Sequence, residues 1–281
     1  MADRELLNFA AEIRIGALEC LGAFGSGHVG GSMSVVEALA VLYGGELRHD
    51  ASNPDWELRD RLVMSKGHAG PAVYAALSLR GFFPREMLAT LNQGGTCLPS
   101  HCDRTKTPGV DMTTGSLGQG MSTAIGLAFG ARLNKWDSYT YLVLGDGECD
   151  EGQVWEGAIF AYHNRLANLI TFVDCNKQQL DGYTKDVLDT GDMAEKFRSF
   201  GWHTVTVNGH DVDAVRATVV AAKAEKSLPS AIILDTVKGY GCTFAEGRAG
   251  NHSMTCGKDD VDAAIAAIRA KMEVTAFPAA Q

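Results

Sequence analysis

Asp146 and Asn176 are the residue pair in this chain best suited to holding a hard cation. A carboxylate and an amide side-chain oxygen suit Mg²⁺ or Ca²⁺, and Mg²⁺ commonly completes its octahedron with water and phosphate oxygens. The neighbours of Asp146 point the same way. Gly145 and Gly147 let a backbone approach a phosphate closely. The helical pattern that follows offers free N–H groups and a positive dipole end. The chemistry suggested is the holding of a phosphorylated ligand through a metal ion. A plainer reading makes Asp146 a turn residue and Asn176 a strand-end residue with structural duties alone.

Placement decides between the two readings. The pair lies 176 − 146 = 30 positions apart, so only folding can join them. Residues 139–144 form an apolar run that ends in Gly145-Asp146-Gly147. Val154, Ala158, Ile159, Tyr162 and Leu166 follow at helical spacing, and a second apolar run, 169–173, ends in Asp174-Cys175-Asn176. Runs this short read as buried parallel strands. A right-handed crossover between them puts both strand ends on one edge of the sheet. Asp146 and Asn176 then lie side by side where open α/β sheets hold ligands.

The rest of the chain alternates in the same manner. Helical spacing appears over 5–21, 35–43, 71–79, 119–133, 193–200, 211–226 and 260–272, and strand-like runs over 61–65, 203–207 and 231–237. The expected fold is α/β, one domain over 1–281, with a single doubly wound, mostly parallel sheet and helices on both faces. Residues after Val274 read as a mobile tail. Gly25-Ser26-Gly27-His28-Val29-Gly30-Gly31 matches G-x-G-x-x-G, but it follows a helix, and the dinucleotide fingerprint needs a strand before it. It reads instead as a tight loop. Residues 94–120 are rich in Gly, Pro and Thr without periodicity, as functional loops often are.

Composition narrows the partners. The chain has 281 residues, 46% hydrophobic and 21% charged, ordinary for a globular protein. A net charge of −9 with no basic stripe argues against nucleic acid. No apolar run approaches the ~20 residues of a membrane span, and the first residues carry acids and no signal-peptide core. Seven cysteines without C-x-x-C spacing fit a reduced, cytoplasmic setting better than a disulfide framework. Cys97, Cys102, Cys242 and Cys256 lack the spacing of a zinc site.

GDGECDEG followed about thirty residues later by DCN resembles the thiamine-diphosphate motif, and the chain from about residue 6 to about residue 257 resembles the N-terminal half of a transketolase. The resemblance implies that Asp146, Asn176 and the main-chain carbonyl of Gln178 hold Mg²⁺ or Ca²⁺. It implies a cofactor site built from His68 of the SKGHA loop, Gly115, Ser116 and Leu117 of TTGSLGQG, and Gly145, Asp146, Gly147, Glu148, Asn176 and His252. His28, in a loop similar to the family's SGHPGA, is expected at the reacting centre, with Val29 in place of the usual Pro. His101 matches the histidine of GHPE, though Cys102 and Asp103 depart from that motif. His252 matches a histidine that reaches both diphosphate and substrate, while Cys256 stands near where a second histidine is expected. His28, His101 and His252 are thus the catalytic candidates. Glu151 matches a carboxylate at the family's subunit interface; the related 1-deoxyxylulose-5-phosphate synthases tend to carry Gly there. Its simpler reading is a helix N-terminal acid.

The activity implied is transfer of a two-carbon ketol unit from a ketose phosphate to an aldose. In the family a further domain activates the aminopyrimidine and holds the sugar phosphate. The expectation is therefore a split enzyme, with a separate C-terminal subunit completing each site in an α₂β₂ assembly. Other readings are a non-catalytic scaffold, a thiamine-dependent enzyme with another donor (1-deoxyxylulose-5-phosphate synthase-like or a ketoacid-decarboxylating subunit), and a transketolase for an unusual ketose such as a branched or sulfonated sugar.

Overall fold

The computed structural model describes residues 4–272. Helix α1, Arg4–Phe24, buries Leu6, Phe9, Ile13, Ala17 and Leu21 along one stripe, the spacing that predicted it. Strand β1 is the dipeptide Ser26–Gly27. Helices α2, Val29–Met33, and α3, Val36–Val41, are buried throughout. The helix expected over 35–43 is therefore α3, and it opens into a π turn at Leu42–Glu46. Next come β2, Arg61–Met64, and α4, Gly70–Leu79, with Pro71 in its first turn, where a missing N–H costs nothing.

Helix α5, Gln119–Leu133, has the bounds the sequence predicted. The central unit follows as β3, Thr140–Gly145, α6, Gly152–His163, and β4, Leu169–Cys175. Then come the short α7, Thr184–Val187, α8, Met193–Ser199, β5, His203–Asn208, and α9, Val212–Ala224. Asp192 and Asp211 cap α8 and α9 by accepting backbone N–H groups of the first turn. Strand β6, Ser230–Asp235, stops two residues short of the expected 237. Strand β7, Met254–Thr255, and α10, Lys258–Lys271, complete the described elements. The tail expected to be mobile after Val274 lies outside the described residues.

The sheet has five parallel strands in the order β2-β3-β4-β6-β5. Side chains of β4 alternate between two cores. Ile170 and Phe172 face a layer that includes Phe9, Leu39, Tyr74 and Val215. Leu169 and Val173 face a layer with Met121, Val154 and Phe197. Burial on both faces explains why these strands read as continuous apolar runs. The register sets Gly145 beside Asp174 and Asp174 beside Leu234. The carboxyl ends of β2, β3, β4 and β6 thus meet on one edge. A second, two-stranded ladder pairs β1 with β7 antiparallel. No helix among the described residues is long and apolar enough to cross a membrane.

Candidate active site

Four strand ends launch the loops that line a cavity of about 220 Å³. From β3 comes Asp146, buried, whose Oδ1 accepts the Gly147 N–H at 2.9 Å and whose Oδ2 accepts the Lys177 N–H at 2.7 Å. Asn176 directly follows the last residue of β4, so the side-by-side placement predicted from the crossover holds. Burial, then the nearby Asp174 charge, push the Asp146 carboxyl up to about 6, against the pull of its backbone N–H bonds. Among the described residues no three His, Cys, Asp or Glu side chains gather as a metal site. The donors on offer are one carboxylate, the Asn176 amide oxygen and the Gln178 carbonyl, all oxygen, which suits a hard divalent cation. A 2+ charge would also offset the cost of a buried carboxylate.

Asp174 organises this corner from beneath. Its Oδ2 accepts Lys66 Nζ at 2.5 Å, Ser34 Oγ at 2.7 Å and Asn176 Nδ2 at 2.8 Å, and its Oδ1 accepts Thr236 Oγ1 at 2.5 Å. Burial alone would raise its pKa; the Lys66 ammonium and these bonds hold it below the usual carboxylate range. Because Asn176 gives its N–H to Asp174, its oxygen is the atom left to turn outward, where it also accepts the Gln178 N–H at 3.1 Å.

Four histidines cluster elsewhere in the same lining. The His28 ring lies 5.4 Å from His68, 5.3 Å from His101 and 5.3 Å from His252, centroid to centroid, and His68 lies 4.8 Å from His252. Glycines make the approach possible. A Cβ on Gly31 would stand 2.8 Å from the His68 ring, and one on Gly115, whose φ is +129°, 2.9 Å from the His101 ring. Burial drives His28 and His252 down to about 4, helped by His101 and Lys238 at the first and by Lys238 and His28 at the second. Burial and Lys66 hold His68 well below its ordinary value, and burial lowers His101. All four are neutral imidazoles at pH 7, able to donate at one nitrogen and accept at the other.

Of the residues singled out in the sequence, His28, His68, His101, Gly115, Leu117, Gly145, Asp146, Gly147, Glu148, Asn176, Gln178 and His252 line this one cavity. Ser116 is exposed and stands outside the lining, and so does Glu151, whose carboxylate makes no capping bond to α6. Glu148 reaches the wall, but its carboxylate is turned into the protein. Its Oε1 accepts Ser65 Oγ and the Gly118 N–H at 2.8 Å, and its Oε2 accepts the Gly145 N–H at 3.0 Å. Two lining lysines were not singled out. Lys66 and Lys238 follow the carboxyl ends of β2 and β6, and both are buried. The edge rule that flagged Asp146 and Asn176 applies equally to those two strands and would have found them.

The family model for the transketolase thiamine diphosphate binding domain matches residues 7–275. The chain belongs to the transketolase thiamine-diphosphate-binding family. It is 49% identical, over 93% of its own length and 95% of the relative's, to the 6-deoxy-6-sulfo-D-fructose transketolase subunit of Clostridium sp. (strain MSTE9). It is 37% identical to an apulose-4-phosphate transketolase subunit of Actinobacillus succinogenes, over 85% of this chain and 86% of that one. The transketolase of Leishmania mexicana superposes with a TM-score of 0.88 at 34% identity, over 97% of this chain and 41% of that one. The chain thus spans about two fifths of that transketolase chain and most of the length of the two relatives named as subunits.

Proposed function

We propose that this chain is the diphosphate-side subunit of a two-chain transketolase, which moves a two-carbon ketol unit from an anionic ketose to an aldose. The observation that carries the reading is the meeting of the Asp146, Asn176 and Gln178 oxygens with four neutral histidines in one cavity. Asp146, Asn176 and the Gln178 carbonyl would hold Mg²⁺ or Ca²⁺, and the metal, His68, Gly115 and the 145–147 turn would hold the diphosphate. Bound there, thiamine diphosphate supplies the nucleophilic carbon and the electron sink for cleavage between C2 and C3 of a ketose. The histidines do the rest on this side. Neutral His28, His101 and His252 can bind the carbonyl and hydroxyl oxygens at C1 to C3 of the donor, and His28 and His101 can move protons among them. Lys66 and Lys238 place positive charge near the diphosphate end.

A cavity of about 220 Å³ falls below the roughly 300 Å³ of a pocket that encloses a drug-sized ligand. This supports a site closed by another chain. So do the relatives named as subunits, most of whose length the chain covers. We assign the missing wall to a separate C-terminal subunit in an α₂β₂ assembly, with Glu151 near an interface. The donor we favour is a sulfonated ketose of the 6-deoxy-6-sulfo-D-fructose type, on the 49% identity to a subunit so named. The seven cysteines are free thiols, which supports a reducing, cytoplasmic setting.

The test is reconstitution. The chain is expressed with and without its C-terminal partner, and ketol transfer to an aldose phosphate is followed from sulfofructose, fructose 6-phosphate and apulose 4-phosphate. Activity is expected only in the pair, only with thiamine diphosphate and Mg²⁺, and is lost in Asp146→Ala. No cofactor binding by the assembled pair would overturn the reading.

A further inference from the structure

The Lys238 ammonium has three N–H donors and no acceptor. The structure gives it three acceptors: the Gln178 carbonyl at 3.2 Å, the Gln179 carbonyl at 3.3 Å and Nδ1 of His252 at 3.2 Å. The side chain is buried, with these partners around its head at the cavity wall. Two of the three partners are carbonyls, which can only accept, and a lysine ammonium has one N–H for each of the three contacts. A charged lysine cannot accept, so the shared proton belongs to Lys238 and Nδ1 of His252 is the acceptor. His252 is itself neutral at that pH, and a neutral imidazole carries its one proton on the other nitrogen.

The backbone around this contact is fixed independently. Asn251, buried beside His252, donates from Nδ2 to the Lys238 carbonyl at 3.1 Å and to the Ala245 carbonyl at 2.7 Å. Its own carbonyl accepts the Gly30 N–H at 2.9 Å, and the Gly30 carbonyl accepts the Gly239 N–H at 3.1 Å. The β1–β7 ladder closes the same unit, pairing Ser26 with Thr255 and Gly27 with Met254. His28, Lys238 and His252 therefore sit on three loops tied by main-chain bonds. Ring rotation of His252 would break the contact to Lys238 without gaining a partner for its third donor.

We propose that Lys238 is a positioning residue that locks His252 as its Nε2–H tautomer, so that His252 meets the ligand as a hydrogen-bond donor to oxygen and not as a base. The assignment to the reacting sugar or the diphosphate rests on the proposed function; the tautomer does not. The same lysine also braces the 178–179 carbonyls, which joins the histidine wall to the metal corner through one side chain. A carbonyl oxygen has two lone pairs, so Gln178 can bond Lys238 and still serve a cation.

The experiment reads the tautomer directly. The full chain is labelled with ¹⁵N-histidine, and two-bond ¹H–¹⁵N correlation spectra are recorded at pH 7, with His252→Gln to assign the signals. The expected wild-type pattern has Nδ1 unprotonated and Nε2 protonated. Lys238→Met, which keeps the length but removes every donor, should bring both tautomers into exchange. Lys238→Gln, which keeps an N–H donor, should hold the wild-type pattern. In the reconstituted pair, kcat of Lys238→Met should fall on the order of 10- to 100-fold, by analogy with loss of the hydrogen-bond partner that orients a metal-bound histidine, with partial recovery in Lys238→Gln. A protonated Nδ1 in the wild type would overturn the proposal even if no variant folds, and so would an unchanged His252 pattern in folded Lys238→Met. Absence of ketol transfer from every sugar would count against the proposed reaction and leave the tautomer standing, since the spectra need no turnover.

Discussion

Neutral histidines are what the site needs, and keeping them neutral has a cost that pH exposes. His28 and His252 titrate at about 4 in the folded chain, against about 6.5 in an unfolded one. Between those values the unfolded chain binds more protons, so stability rises with pH across that window and is lost as pH falls from about 6.5 toward 4. Above the window both states hold the rings neutral and the dependence vanishes. The groups facing these rings are His68, His101, Lys66 and Lys238, and the positive charge of the lysines deepens the effect. Melting temperature measured from pH 8 to pH 4.5 should therefore hold steady and then drop. In His28→Asn the drop should be shallower by that histidine's share. An equal slope in the variant would remove His28 from the account.

At the scale of elements, one side chain joins three of them. The Glu148 carboxylate holds Ser65 after β2, Gly118 before α5 and Gly145 at the end of β3. Those three positions carry the Lys66–His68 loop, the Gly115 loop and the Asp146 turn, so Glu148 sets their spacing. Glu148→Ala strands three buried donors, each worth about 1–3 kcal/mol when unpaired, and should destabilise the chain by about 3 kcal/mol or more in urea unfolding. Glu148→Gln turns an amide N–H₂ toward backbone donors and should cost about 1–3 kcal/mol. Both should weaken thiamine diphosphate binding in the assembled pair. A Glu148→Ala chain with wild-type stability and binding would show the loops to be held some other way.

This clamp also marks the limit of what the sequence disclosed. The β3–α6–β4 unit was legible because long apolar runs and helical periodicity are local, and the Asp146–Asn176 pairing followed from crossover handedness. The two-residue strands β1 and β7 carry no periodicity at all, so their ladder, which sets the distance between His28 and His252, was invisible. Lys66 and Lys238 could be placed at the sheet edge by the strand-end rule, but the partners they reach, and the bracing role of Asn251, could not be read from the sequence. Those contacts join different loops, 108 positions apart for Lys66 to Asp174 and 60 for Lys238 to Gln178. Motif resemblance found the residues expected to touch the ligand and gave no account of what holds them.

For the whole molecule the question is which face meets another copy. The α₂β₂ assembly proposed above needs an apolar surface, and the two sides of the sheet differ. On the side of α5 and α6, Leu133 is 66% exposed, Ile159 55% and Phe160 45%, with Leu117 at 38% beside the cavity. Phe129 on α5 meets Phe160 on α6 edge to face at 5.9 Å, which makes the patch continuous across the two helices. Exposed Glu151 opens α6 at its rim. On the other side, Val220 of α9 is 52% exposed, and Leu7 and Phe24, near opposite ends of the 21-residue α1, are 42% and 46%, scattered residues of the kind any surface carries. Large exposed patches rimmed by polar residues mark association sites, so α5 and α6 are the face expected to pair. Phe160→Glu should weaken self-association by roughly tenfold or more, the effect of losing one well-packed interface aromatic, and Val220→Glu should not. Sedimentation velocity over a dilution series distinguishes them, with circular dichroism to confirm folding. A smaller species in Val220→Glu and not in Phe160→Glu would move the interface to the α9 side and take Glu151 away from it.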